Sequence, residues 1–204
     1  MNQYQRSKYL AKSKDSFKTK KHIFLFSLAI HKKDSFSPSD FIDFKISEDL
    51  VNKYSAEYWQ ELETYPIDGV AIKDIVLAIC ALEKANAELL KKLEIEYINA
   101  FPNIFPEDNF IKLIGDQEEE IRCHYCKLTK AEIELLVDKR KLFKKSLRGW
   151  SFEIDRLNSN YEYRPENCVM ACYWCNNAKT DEFTETEFLK IGKVIREIWQ
   201  ERLK

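Results

Sequence analysis

The sequence predicts a mostly helical α+β chain ending in a small metal-stapled module, and three observations lead there. Two cysteine pairs of equal spacing, Cys123-His124-Tyr125-Cys126 and Cys172-Tyr173-Trp174-Cys175, enclose the strand-like segment Phe152-Glu153-Ile154-Asp155-Arg156. Outside that segment apolar residues recur at intervals of three and four, with no Gly or Pro between Ala71 and Phe101. Only 4 Gly and 5 Pro among 204 residues, against 45% hydrophobic side chains, argue against long disordered stretches.

The net charge of -1 conceals three blocks. Residues 1 to 33 hold nine bases against one acid, a net +8; residues 34 to 120 hold seven against twenty, a net -13; residues 121 to 204 hold seventeen against thirteen, a net +4. The chain thus divides into a basic N-terminal arm with the start of a core (1–33), an acidic helical region (34–120) and the mildly basic module (121–204). In the arm, Tyr4, Tyr9 and Phe17 stand among lysines up to Lys20 and Lys21, a mixture suited to phosphates and base faces and equally to a solvated tail. The apolar run Ile23 to Ile30 then reads as a strand or short helix entering a core.

In the acidic region, Ile72, Ile75, Val76, Ile79, Leu82, Leu89, Leu90, Leu93 and Tyr97 mark one amphipathic helix or two nearly in line, closed by Pro102 and Pro106. Its acidic outer face is unsuited to DNA, which leaves plain scaffolding or a protein partner. No apolar run approaches the roughly 18 residues of a membrane span, and the lysine-rich N-terminus is not a signal peptide. The expected setting is cytoplasmic, away from membranes.

Thiols in such a reducing compartment are metal ligands rather than disulfides. Two C-x-x-C pairs, Cys123 with Cys126 and Cys172 with Cys175, suit tetrahedral Zn²⁺, and four protein ligands leave no open position for chemistry, so this zinc is structural. His124 could replace a cysteine, but the all-cysteine second pair favours a bystander. Cys80 and Cys168 read as small core residues.

After the first pair, Ala131 to Phe143 has helical spacing and runs into Lys139, Arg140, Lys141, Lys144, Lys145 and Arg148 with no acid between. Such a run meets a DNA backbone well, and would also suit a solvated helix end. Near the C-terminus Thr184 and Glu187 form a capping box ahead of the stripe Phe188, Ile191, Val194, Ile195, Ile198 and Trp199.

Taken singly, Asp155 reads as a turn acid, Asn167 as a cap after Pro165 and Asn176 as a helix-start residue. Their joint spacing is more specific: Asp155 ends the strand, Asn167 lies five residues before Cys172, and Asn176 follows Cys175 in Cys-Asn-Asn-Ala-Lys. From Cys123 to Lys179 the chain resembles the HNH, or ββα-metal, endonuclease family, and some similarity continues through Thr180-Asp181-Glu182-Phe183 and the terminal helix. The resemblance implies a ββα-metal fold and phosphodiester hydrolysis in DNA. Asp155 and Asn176 would hold a catalytic Mg²⁺ or Mn²⁺, while Asn167 would fix the loop and orient the base. Lys179 would join the nucleic-acid contacts. This module serves phage DNA processing, intron homing, restriction and antiphage defence.

The chain departs from the family at Arg156, which stands where the histidine base belongs. A guanidinium stays protonated, so it can grip a phosphate but cannot accept a proton from water. Glu153, two residues before Asp155 and on the same strand face, is the leading substitute base, ahead of Tyr161, Tyr163, His124 and Lys179, and reads equally as a second metal ligand or a solvent-facing acid. The alternative is a catalytically impaired module of the same fold that binds DNA or a protein partner without cleavage.

Overall fold

The computed structural model describes residues 1–55, 66–115, 121–142 and 151–204, which form two compact units. One unit comprises residues 2–104 together with 160–163, and the other residues 105–159 and 164–204. The division falls at residue 105, so the acidic stretch around Glu107 belongs with the cysteine module rather than with the preceding helices.

The first unit is helical. Helix α1 (Gln3–Ile30) opens on a capping box in which Asn2 Oδ1 accepts from Gln5 N at 2.9 Å and Gln5 Oε1 accepts from Asn2 N at 2.8 Å. It continues unbroken for 28 residues, where the sequence suggested a basic arm followed by a separate apolar element. The reason is a buried face hidden among lysines: Tyr9, Ser13, Ser16, Phe17, Lys20 and Phe24 follow one another at helical intervals, and all are buried. Tyr9 packs 5.1 Å from Phe101, and Phe17 packs 5.6 Å from Phe41, so neither ring is available to a nucleic-acid base. Several lysines are likewise engaged within the unit. Lys21 pairs with Glu83 at 2.8 Å, and Lys20 donates to the Ile42 carbonyl at 3.2 Å.

Helices α2 (Pro38–Asp43) and α3 (Glu48–Ser55) follow, then α4 (Ile72–Ala85) and α5 (Ala87–Ile104). The long helical pattern is therefore two helices parted at Asn86, whose backbone N–H and side-chain amide both donate to the Leu82 carbonyl. Ile72, Ile75, Leu82, Leu90, Leu93 and Tyr97 are buried as their spacing predicts. Ile23, Phe26 and Ile30 of α1 share a core with Leu50, Tyr54, Ile72 and Ile75. Cys80, expected in the core, is exposed. No observation among the described residues singles out a protein partner for these helices. Among the described residues, no helix is long and apolar enough to cross a membrane.

The second unit runs α6 (Glu107–Ile114), α7 (Lys130–Asp138), β1 (Phe152–Arg156), β2 (Cys168–Cys172), α8 (Tyr173–Lys179) and α9 (Glu185–Leu203). The strands pair antiparallel with Phe152 opposite Cys172, Ile154 opposite Met170 and Asp155 opposite Val169. Phe152 and Ile154 are buried, which leaves Glu153 and Asp155 on the other face. The predicted capping box of α9 is present, with Glu187 N bonded to Thr184 Oγ1 and Thr184 N to Glu187 Oε2. The buried line of α9 is Phe188, Gly192 and Trp199, whereas Val194 and Ile198 of the expected stripe are exposed. At Gly192 an added Cβ would stand 2.8 Å from the Tyr125 backbone, so only glycine lets α9 approach that closely.

Candidate metal centre and acidic strand

The first cysteine pair sits on a tight turn. Lys127 N donates to the Cys123 carbonyl at 3.0 Å, Cys123 N donates to the Leu128 carbonyl at 2.9 Å, and Lys127 takes a left-handed φ of 59°. The second pair spans the end of β2 and the first turn of α8, with Cys172 as the N-cap. His124 N donates to the Met170 carbonyl at 2.8 Å, which ties the first turn to the free edge of β2. These constraints bring the Sγ atoms of Cys123, Cys126, Cys172 and Cys175 within 4.8 Å of one another, all four buried and none disulfide-bonded.

Cys126 Sγ and Cys172 Sγ lie 3.7 Å apart. A tetrahedron with metal–sulfur bonds of about 2.3 Å has edges near 3.8 Å, so this spacing fits a tetrathiolate ion. Hydrogen bonds from Cys126, Cys172 and Cys175 lower the Cys123 thiol below its ordinary value, and hydrogen bonds with Cys123 and Cys126 raise Cys172 and Cys175 above theirs. Like charges this close and this buried cannot all form unaided, and a divalent cation at the centre removes the conflict. The four cysteines are thus positioned to hold a metal ion. His124 stands outside the group, its Nε2 2.7 Å from Glu185 Oε1.

Beside the cluster lies the acidic face of β1. The Tyr125 hydroxyl, from within the first cysteine turn, donates to Asp155 Oδ2 at 2.5 Å. Lys179 Nζ, at the end of α8, donates to the Arg156 carbonyl at 3.0 Å and stands 3.6 Å from the same Asp155 oxygen. Burial raises the Asp155 carboxyl above its usual range, while Tyr125 and Lys179 oppose the rise. Burial and the Asp155 carboxylate together push the Tyr125 hydroxyl well above its ordinary value, which keeps it a donor. One turn earlier on α8, Asn176 Nδ2 donates to Glu153 Oε2 at 2.5 Å. Glu153, Asp155, Asn176 and Lys179 therefore meet where β1 faces α8.

Asn167 clamps the other end of the site. Its side chain accepts from Asn158 N and donates to Asn158 O, both at 3.0 Å, and its carbonyl accepts from Leu157 N at 2.9 Å. These bonds fix the chain just beyond Arg156. Lys179 corrects its expected place among the nucleic-acid contacts: only 1% exposed and bonded inside the module, its ammonium has no path to a phosphate. Lys139, Arg140 and Lys141 are exposed at the end of α7, where Arg140 takes a φ of 54° that stops the helix. Lys144, Lys145 and Arg148 lie outside the described residues. Tyr163, a weaker choice for the base, belongs to the helical unit, where Lys12 Nζ donates to its hydroxyl at 3.0 Å.

Sequence reasoning missed Tyr125, whose only sequence signal was a hydroxyl held inside a metal-binding turn. It also missed a cavity of about 320 Å³ lined by Lys112, Arg122 and His124 beside Val169 and Met170.

No protein-family model matches the chain, and no curated protein sequence does. Among solved structures, the rare-cutting HNH restriction endonuclease PacI, described for its mechanism of DNA perturbation, aligns with a TM-score of 0.40 and 26% identity over 51% of this chain and 73% of that one.

Proposed function

We propose that the chain is a metal-dependent HNH-type endonuclease acting on phosphodiester bonds in DNA, with Zn²⁺ in the four-cysteine site and Mg²⁺ or Mn²⁺ at Asp155 and Asn176. One observation carries this reading: Glu153 and Asp155 share a face of β1 opposite α8, where Asn176 meets Glu153. The Asp155 carboxylate and the Asn176 amide supply the hard oxygens that a small divalent ion prefers, and Glu153 stands beside them. Bound there, the ion would supply charge stabilisation for the scissile phosphate and the leaving 3′ oxygen.

The chain's own residues would divide the remaining work. Asp155 and Asn176 hold the ion, and Asn167 keeps the loop after β1 in place. Arg156 grips the phosphate, since it cannot act as a base. Glu153 takes the proton from water, a role supported by its place on the face that carries Asp155. Lys139, Arg140, Lys141, Lys144, Lys145 and Arg148 meet the DNA backbone.

The test is cleavage of plasmid and single-stranded DNA with Mg²⁺, Mn²⁺ or chelator. Asp155→Ala and Asn176→Ala should each abolish divalent-dependent cleavage while zinc content and folding persist. Glu153→Gln should slow it severely. Cleavage indifferent to Asp155 would refute the assignment of the ion.

Arg156 specifically favours a second reading, a module that binds DNA without cutting it. In that case the wild type is inert under every divalent ion, whereas Arg156→His, which restores a base with a pKa near ~6.5, gains cleavage.

A further inference from the structure

We propose that Tyr125 is a positioning residue that couples the four-thiol site to Asp155, holding carboxylate oxygen Oδ2 so that Oδ1 is the atom offered to a divalent cation. The inference rests on the proposed function only for the cation at Asp155. It says nothing of which substrate is cut.

Tyr125 stands between two of the four cysteines, so its backbone is fixed by whatever the thiols bind. Its ring is 2% exposed and lies edge-on to Phe188 of α9, with centroids 5.0 Å apart at 89°. Gly192 presses against its backbone from the same helix, and His124 N holds the turn to β2. A side chain so confined has one place for its hydroxyl, and that place is 2.5 Å from Asp155 Oδ2. Lys179 approaches the same oxygen at 3.6 Å from the segment that follows the second cysteine pair. The segments of the two cysteine pairs thus meet at one oxygen of one carboxylate, the first through the Tyr125 hydroxyl bond and the second through the Lys179 ion pair. A carboxylate with one oxygen held by the Tyr125 hydroxyl and paired with the Lys179 ammonium offers an ion its other oxygen, so its ligation is monodentate and its orientation is set before the ion arrives.

Partners of this kind typically change metal affinity or activity by about 10- to 100-fold when removed. The experiment measures Mn²⁺ binding directly, by the magnetic-resonance signal of the free ion, in zinc-loaded wild type, Tyr125→Phe and Asp155→Asn, without DNA. Tyr125→Phe should retain its zinc and its melting transition, bind Mn²⁺ about 10- to 100-fold more weakly, and lose kcat for cleavage more than it changes KM. Mn²⁺ affinity unchanged in Tyr125→Phe, with the site abolished in Asp155→Asn, overturns the proposal. Equal Mn²⁺ binding by Asp155→Asn and wild type removes the cation site and the proposal with it. Should the wild type cut no nucleic acid, yet bind Mn²⁺ through Asp155 more weakly in Tyr125→Phe, the proposal stands and the nuclease reading alone falls. If Tyr125→Phe does not fold, the wild-type Tyr125 hydroxyl proton is followed by NMR instead. A resonance that moves when Mg²⁺ is added supports the coupling, and one indifferent to Mg²⁺ overturns it.

Discussion

Glu132 performs two tasks with one carboxylate. It caps α7 by accepting from Thr129 N at 2.9 Å, and it receives both guanidinium nitrogens of Arg196 at 2.7 Å. The Arg196 hydrogen bonds, more than any other influence, hold its carboxyl below the usual range. A depressed carboxyl stabilises the fold fully above its ordinary value, and that contribution disappears as pH falls through the lowered one. Arg196→Met should therefore lower stability near neutrality by about 1 kcal/mol, the bridge being partly solvated, and narrow the difference from wild type in acid. Thermal melts across the acidic range would show this, and a constant difference at every pH would contradict it. Gly192→Ala is a sharper local test. With a Cβ 2.8 Å from the Tyr125 backbone, α9 must shift, and a loss of about 1–3 kcal/mol is expected in melts of zinc-loaded protein.

At the scale of elements, legibility followed the range over which each signal acts. The four cysteines were readable because C-x-x-C spacing is local, and the α9 capping box because its partners stand three residues apart. Tyr125 was not, because its partner Asp155 lies 30 residues away and only the fold joins them. The unity of α1 escaped notice because Ser13, Ser16 and Lys20 lie on its buried face and break the apolar pattern. Ser16 is satisfied there by Tyr97 OH at 2.9 Å, a partner no local spacing could announce. The basic run after α7 carries its own test. Neutralising Lys139, Arg140 and Lys141 together with Lys144, Lys145 and Arg148 should weaken binding to unrelated duplexes alike and flatten its salt dependence. An unchanged salt slope would reduce the run to a solvated helix end.

For the molecule as a whole, the four-thiol site is the largest stake. Structural zinc in small peptides contributes on the order of 10–16 kcal/mol, which rivals the roughly 5–15 kcal/mol that holds an entire domain folded. About one zinc per chain is therefore expected by elemental analysis. Cys172→Ala should unfold the unit containing residues 105–159 and 164–204 rather than slow it. A Cys172→Ala protein that keeps both its metal and its melting temperature would contradict this. The path of the chain between β1 and β2 adds a further consequence. Residues 160–163 count with the helical unit, where Glu162, 3% exposed, accepts from Tyr97 OH at 2.6 Å and Tyr163 N donates to Ser16 Oγ at 3.1 Å. Residues 160–163 are thus anchored by residues far upstream in sequence. A fragment lacking the helices would carry Glu162 as a carboxylate stripped of its burial and residues 160–163 as a tether with nothing to grip. Ser16, Tyr97 and Glu162 must be inherited together, and a fragment beginning at Phe105 should bind zinc yet exchange its amide hydrogens rapidly between Asn158 and Asn167.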